Sequence, residues 1–228
     1  MTSKRINSLL TDFGSTVLGQ QLCLLPDKAI FLPASASLLL SDVHLGKAEA
    51  FQSLGVPVAG QVNLATLRRL RQLCQLCEPQ QIFILGDLFH SPRSLVSEVT
   101  EPWQAFLADV GAKVTLIVGN HDWRLVTALG EFDMACQAEA VALDGLLLSH
   151  EPVKSHRAGL NVCGHVHPVV VLRSHLDRLR LPCFYLEKAQ RCLTLPSFGD
   201  FTGGYEVDLI PGTVAYVPSE STIVTFEG

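Results

Sequence analysis

Short apolar runs, each closed by polar residues, recur along the first two-thirds of the chain. They are Leu38-Leu39-Leu40, Ile82-Phe83-Ile84-Leu85, Val114-Thr115-Leu116-Ile117-Val118, Leu146-Leu147-Leu148 and Asn161-Val162-Cys163. Runs of this length between turn residues predict buried strands. A hairpin is predicted ahead of them, from 22–25 and 29–32 around Pro26-Asp27. Between the runs the period becomes helical. From Gln61 to Cys77, the residues Leu64, Leu67, Leu70, Cys74 and Cys77 share one face, and Arg68, Arg69 and Arg71 lie mostly on the other. From Glu98 to Val110 the face is Val99, Trp103, Phe106, Leu107 and Val110. Shorter helical stretches are expected at 47–54, ended by Gly55-Val56-Pro57, and at 123–129, ended by Gly130. After His167 the pattern is β-like and short, at 169–172, 183–186, 192–195, 207–210, 214–217 and 223–226.

Alternating strand and helix favours an α/β fold with a parallel-type sheet, to which the last quarter adds antiparallel strands. No linker-like stretch or repeat divides residues 1–228, so a single domain is expected, with residues 1–20 as a loosely attached leader.

Composition narrows the class. Hydrophobic residues make up 48% and charged residues 17%, which excludes a disordered chain. No apolar run approaches the roughly 18–20 residues of a membrane span. Asn7, Thr11 and Asp12 interrupt the N-terminal apolar residues too soon for a signal peptide, so a cytoplasmic location is expected. The seven cysteines are scattered, as buried thiols are. Cys74-Gln75-Leu76-Cys77 has no second pair to complete a zinc site and reads as a helix face. Net charge is −5, and Arg68, Arg69 and Arg71 form the only dense basic group, read as a solvated helix face. A polyanionic substrate would therefore need local positive charge, which bound metal ions supply.

The chemistry sits where the apolar runs stop. Their ends read Asp42-Val43-His44, Gly86-Asp87, Gly119-Asn120-His121-Asp122, His150 and Gly164-His165-Val166-His167. Sites in open α/β sheets form outside the carboxyl ends of strands, so these ends can converge. Asp, His and Asn offer oxygen and imidazole nitrogen and include no cysteine, which suits a pair of divalent cations such as Mn²⁺, Fe or Zn²⁺ rather than a closed structural zinc. The D-x-H and H-x-H spacings predict two ligands on one side of an extended segment. Glycine before Asp87, Asn120 and His165 predicts tight turns with an open cleft.

The ordered set D-x-H, G-D, G-N-H-D, H, G-H-x-H resembles that of the calcineurin-like metallophosphoesterases and spans Asp42 to His167. This resemblance implies a four-layer αββα sandwich of two mixed sheets flanked by helices. It implies that Asp42, His44, Asp87 and His167 hold one metal. Asp87, Asn120, His150 and His165 hold the other, with Asp87 bridging. Mn²⁺ is the first expectation, Fe or Zn²⁺ the alternatives. The resemblance further implies that a hydroxide held between the two ions would attack phosphorus, with His121 as general acid on the leaving oxygen. Asp122 is the expected carboxylate behind the histidines, with a backbone cap as its other reading.

A closer resemblance is to the ligase-associated DNA-damage-response endonuclease subfamily (PdeM). It is carried by Ser41-Asp42-Val43-His44-Leu45-Gly46-Lys47, Gly86-Asp87-Leu88-Phe89-His90, Ser149-His150-Glu151-Pro152, Asn161 to Pro168, Leu181-Pro182-Cys183-Phe184 and Leu195 to Gly204. This implies a DNA endonuclease of DNA repair, with a DNA ligase and a helicase as associates and no membrane partner. Serine/threonine phosphatases carry an Asp, then an Arg, where this chain has His90 and Ser91, which leaves the partner of His121 open. Lys47, His90, Arg93, Arg124, Lys154, His156 and Arg157 lie close to ligands in sequence and are candidates to touch substrate. Phe198, Phe201 and Gly203-Gly204 read as packing and a turn. The competing function is a phosphodiesterase or pyrophosphatase acting on a nucleotide or nucleotide-linked small molecule. An adaptor without chemistry should have lost ligands or His121, and none is lost.

Overall fold

The computed structural model describes residues 8–10, 12–56, 62–154, 157–173 and 177–228. Two seven-stranded mixed sheets stack face to face, flanked by helices. The first sheet is ordered β1 (Gly14–Val17), β2 (Gln20–Leu25), β3 (Ala29–Leu32), β4 (Ser37–Leu40), β5 (Gln81–Ile84), β6 (Lys113–Ile117) and β7 (Ala135–Gln137). From β4 to β7 the pairing is parallel, and β1 to β4 form an antiparallel meander. The second sheet is built from β8 (Val141–Leu143), β9 (Leu146–Leu148), β10 (Leu160–Cys163), β13 (Phe184–Glu187), β14 (Cys192–Thr194), β16 (Thr213–Ser219) and β17 (Thr222–Glu227). Its strands β9, β10 and β14 run parallel. A small third sheet holds β11 (Pro168–Arg173), β12 (Arg178–Pro182) and β15 (Tyr205–Glu206).

Side-chain alternation explains the layers. Leu38, Leu40, Ile82 and Ile84 point from the first sheet to the helices α2 (Val62–Cys77) and α3 (Ser97–Asp109), where Leu67, Leu70, Trp103 and Phe106 meet them. Leu39, Phe83 and Leu85 point the other way and pack on Leu148, Val162 and Leu193 of the second sheet. Buried on both faces, these strands read as the continuous apolar runs seen in the sequence. On the second sheet's outer side, Tyr185, Ala215 and Val217 pack under Val170 and Val207 of the small sheet and its continuation.

Three expectations are corrected. Residues 14–17 are not part of a loose leader: they are edge strand β1, and Leu9 and Val17 are buried. Residues 1–7 and 11 lie outside the described residues. The run 207–210 makes no strand; the pairing there is Tyr205–Glu206 with β11. The arginines of α2 are not simply solvated. Arg69 lies over the Phe198 ring at 4.5 Å, donates to the Phe198 carbonyl and pairs with Asp200 at 2.6 Å, and Arg71 lies over Phe106 at 5.7 Å. Cys74 and Cys77 both lie on that helix, as the helix-face reading expected, with Cys77 fully buried.

Candidate metal centre

The site lies at the carboxyl ends of β4, β5 and β6 in the first sheet and β9 and β10 in the second. Pairing between strands continues into the loops. Asp42 N–H donates to Gly86 O (3.0 Å), His44 N–H to Asp87 O (2.9 Å) and Gly164 N–H to His150 O (2.9 Å). Across the two sheets, His165 N–H donates to Asp42 Oδ2 at 3.0 Å.

All seven predicted ligands come together in one connected cluster. His167 Nε2 stands 3.0 Å from Asp42 Oδ1, and His44 Nε2 lies 3.8 Å from Asp87 Oδ2. On the other side of Asp87, His150 Nε2 lies 3.6 Å from Oδ1. Asn120 Oδ1, His150 Nε2 and His165 Nδ1 then close a triangle with sides of 2.9, 3.0 and 3.1 Å. Asp87 thus turns one oxygen to His44 and the other to His150.

These residues fit a pair of divalent cations. Both ring nitrogens of His44 are buried with no hydrogen-bond partner, an arrangement a folded protein rarely keeps without a ligand. Three donors at about 3 Å from one another match the edge of a coordination shell with bonds of about 2.1 Å. Burial, then the positive charges of His167, Lys47, His121 and His90, press His44 down to about 2, so its ring is neutral and able to ligate. Burial opposes a charge on His167, but the Asp42 carboxylate outweighs it and raises the imidazole.

The backbone of the site departs from the extended geometry expected from the spacing. Asp42, His44, Asp87, His165 and His167 all have positive φ, between 50° and 68°. In D-x-H and H-x-H the two ligands converge because both sit in the left-handed region, not because a strand alternates. Each such non-glycine residue is strained, and the surrounding pairings hold it there. The three glycines act as expected, and their role is a close approach. A Cβ on Gly86 would lie 2.0 Å from His150 Nδ1, one on Gly119 2.3 Å from Asp87 Oδ1, and one on Gly164 2.6 Å from Asp42 Oδ2.

Carbonyl oxygens set the histidine tautomers. His150 Nδ1 donates to Leu85 O at 2.9 Å and His167 Nδ1 to Gly203 O at 3.2 Å, leaving Nε2 of each toward the cluster. His121 Nδ1 donates to His90 O at 2.6 Å, which supplies the partner left open by the sequence. Its Nε2 faces the site, 3.9 Å from Asp87 Oδ2.

Asp122 reaches no imidazole. Its carboxylate accepts from the N–H groups of Asp87 (2.7 Å), Leu88 (3.0 Å), Phe89 (3.3 Å) and Gly119 (3.0 Å), so it pins two site loops together. Burial lifts its carboxyl to about 6 against the pull of those donors. The backbone-cap reading is the one that fits, and the expectation of a carboxylate behind the histidines is corrected: Asp122 positions the loops and takes no direct part in the chemistry.

The candidate substrate residues separate. His90 stacks on the His121 ring at 5.0 Å and on the Phe51 ring at 6.1 Å. Lys47 begins the helix α1 (Lys47–Gln52), and burial lowers its ammonium while the Asp87 charge opposes this. Arg93, Arg124, Lys154 and Arg157 are exposed, and no hydrogen bond or ion pair joins them to a ligand among the described residues. His156 lies outside the described residues. Phe198 is buried as expected, but the segment around it also braces the site, since Ser197 Oγ and Gly199 N–H both donate to Asp42 O. The sequence reading missed Phe51, whose only signal was an aromatic residue one turn beyond Lys47.

Residues 37–151 match the family model described as calcineurin-like phosphoesterase. A solved structure titled as Pseudomonas putida nuclease MPE is 34% identical, with 92% of this chain and 98% of that one covered and a TM-score of 0.80. The E. coli phosphoesterase Yfce is 20% identical over 83% of this chain and 97% of that one, with a TM-score of 0.46. No curated protein sequence matches. The matched segment carries five of the seven converging ligands, from Asp42 to His150, and covers half of the residues. The chain belongs to the calcineurin-like phosphoesterase family.

Proposed function

We propose that this protein is a dinuclear-metal phosphodiesterase that cuts DNA as an endonuclease of DNA repair. The carrying observation is Asp87, whose two oxygens face two separate sets of donors. Asp42, His44, Asp87 and His167 would hold one ion, and Asp87, Asn120, His150 and His165 the other, with Mn²⁺ the first expectation. A cation pair so held polarises a phosphoryl group and lowers the pKa of a bound water.

The remaining work falls to the chain. His121 donates Nδ1–H to a carbonyl, so Nε2 can give up a proton to a leaving oxygen only from the doubly protonated ring. The stacked His90 ring and the His90 carbonyl fix that ring's plane. Asp122 keeps the His121 loop against the Asp87 loop. Lys47 offers a cation beside Asp87 for a non-bridging phosphate oxygen.

DNA as substrate is supported by the likeness to the Pseudomonas putida nuclease and by the subfamily resemblance in the sequence. Association with a DNA ligase and a helicase, and action in the cytoplasm, belong to the same proposal. No helix among the described residues is long and apolar enough to cross a membrane. The net charge of −5 favours a second reading, a small nucleotide diester, because little general attraction draws a polyanion to this surface.

The test compares single- and double-stranded DNA, a generic small diester, a phosphomonoester and nucleotides, each with Mn²⁺. DNA cleavage that His121→Ala lowers is expected. Diester cleavage with no DNA cleavage would select the small-molecule reading.

A further inference from the structure

We propose that Trp123, with the groove it walls, is a subsite for an unpaired nucleobase next to the scissile phosphate. This rests on the nuclease reading above and names the residue that would recognise the substrate's bases.

The chain has two tryptophans, and their environments are opposite. Trp103 is fully buried in the first core, whereas Trp123 is 68% exposed. Tryptophan carries a large apolar surface and is strongly buried on average, so an exposed indole calls for an explanation. This one sits two residues past His121. Its backbone is fixed: Trp123 N–H donates to Gly119 O at 3.1 Å, and the turn Trp123–Leu125 that follows is closed by Leu125 N–H to Asp122 O at 2.7 Å. The backbone hydrogen bonds fix the point from which the indole projects.

Beside it lies a groove of about 340 Å³. Trp123, Val118, Ala138 and Val153 form apolar parts of its wall, and Asn120 and His150 border it. Because those two belong to the metal cluster, an occupant can be covalently continuous with a phosphate at the cations. The lining has no lysine or arginine and includes Glu151, so it suits neither a second phosphate nor an acidic peptide. A flat, uncharged ring attached to the phosphodiester fits both the walls and the connection. Aromatic side chains bind bases by offering a face for stacking, and in a duplex that face is already covered by neighbouring bases. Hence the occupant is an unpaired base.

Tryptophan fluorescence of the His121→Ala protein, with its metal ions kept and cleavage slowed, tests this, because Trp103 is shielded and only Trp123 can meet a solute. The probes are a short single-stranded oligonucleotide and a strand of equal length and charge made of abasic sites. The base-bearing strand should quench Trp123 and the abasic strand should not, and Trp123→Ala should abolish the response. With Mn²⁺, Trp123→Ala should raise KM for single-stranded DNA about tenfold and move kcat far less, with Trp123→Phe restoring most of the affinity. Equal responses to the two strands, or an unmoved KM, would overturn the assignment. If base-bearing strands quench Trp123 but the wild type cuts no DNA, the subsite stands and the nuclease reading falls. If DNA is cut and Trp123 responds to neither strand, the reverse holds.

Discussion

The two halves of the metal centre are built differently. The half around Asp42, His44 and His167 is enclosed: Asp42 is fully buried, His44 nearly so, and both His44 nitrogens lack a hydrogen-bond partner. The half around Asn120, His150 and His165 is open, with Asn120 and His165 exposed, and its three donor atoms stand 2.9–3.1 Å apart. A buried polar atom without a partner costs about 1–3 kcal/mol. A cation in the enclosed half would relieve that cost, so binding there would be coupled to folding. In the open half the same donors can turn to water, so a cation there exchanges at little structural cost. On the proposed dinuclear reading, the difference implies that one ion would belong with the fold and the other with turnover.

The largest expected effect comes from the residue common to both halves. Asp87→Ala should lower kcat/KM for any phosphodiester more than loss of any other single ligand, with circular dichroism showing a folded protein. If one peripheral ligand matters more than Asp87, the two halves do not share a bridge. His121→Ala removes the proton donor and leaves the ligands, so kcat should fall by about 10²–10⁴ while metal content stays at the wild-type level.

Substitutions in one half at a time sharpen the contrast. The activity of His165→Ala should recover partly with excess Mn²⁺. That of His44→Ala should recover less, and its melting temperature should no longer respond to metal. Equal rescue of the two would erase the distinction. Graded chelation of the wild type should remove activity first and thermal stability afterwards. The stability lost in the second step should be about 3 kcal/mol if metal is present at a hundredfold over its dissociation constant.

Acid should act in the same direction on the enclosed half. The His167 imidazole is raised by Asp42, so a proton competes with the cation as pH falls through that value. Calorimetric titration at decreasing pH should therefore show weakening metal affinity there, while His44, held at about 2, adds nothing to the slope near neutrality.

The smallest effect lies outside the centre. Asp200 pairs with Arg69 at 2.6 Å and Lys28 at 2.8 Å. Burial works against its ionisation, yet those cations hold its carboxyl below the ordinary 3.8. The folded-state value is depressed, so the stabilisation is present above that ordinary value and lost as pH falls through the depressed one. The side chain is about half exposed, and Asp200→Asn should cost under about 1 kcal/mol in urea denaturation at neutral pH. The cost should shrink in acid.

The sequence made the strand frame legible because β4, β5 and β6 are buried on both faces and leave unbroken apolar runs. The donor set was legible because Asp, His and Asn directly after such runs are chemically out of place in a core. Other features depend on three-dimensional relations that leave no linear trace. Positive φ at Asp42 and His167 is imposed by neighbouring loops, and no residue type announces it. The carbonyl behind His121 belongs to His90, and every residue has a carbonyl. Asp122 looked like a partner for a ring because backbone N–H groups are invisible in a sequence. Strand β1 was missed because Gly14 to Val17 is a half-exposed edge with little apolar signal.

The most direct test of the central claim is a calorimetric titration of Mn²⁺ into chelator-treated protein. Two sites of unequal affinity per chain are expected, with Asp87→Ala reducing both. A single site, or two sites indifferent to Asp87, would contradict a dinuclear centre bridged by that carboxylate.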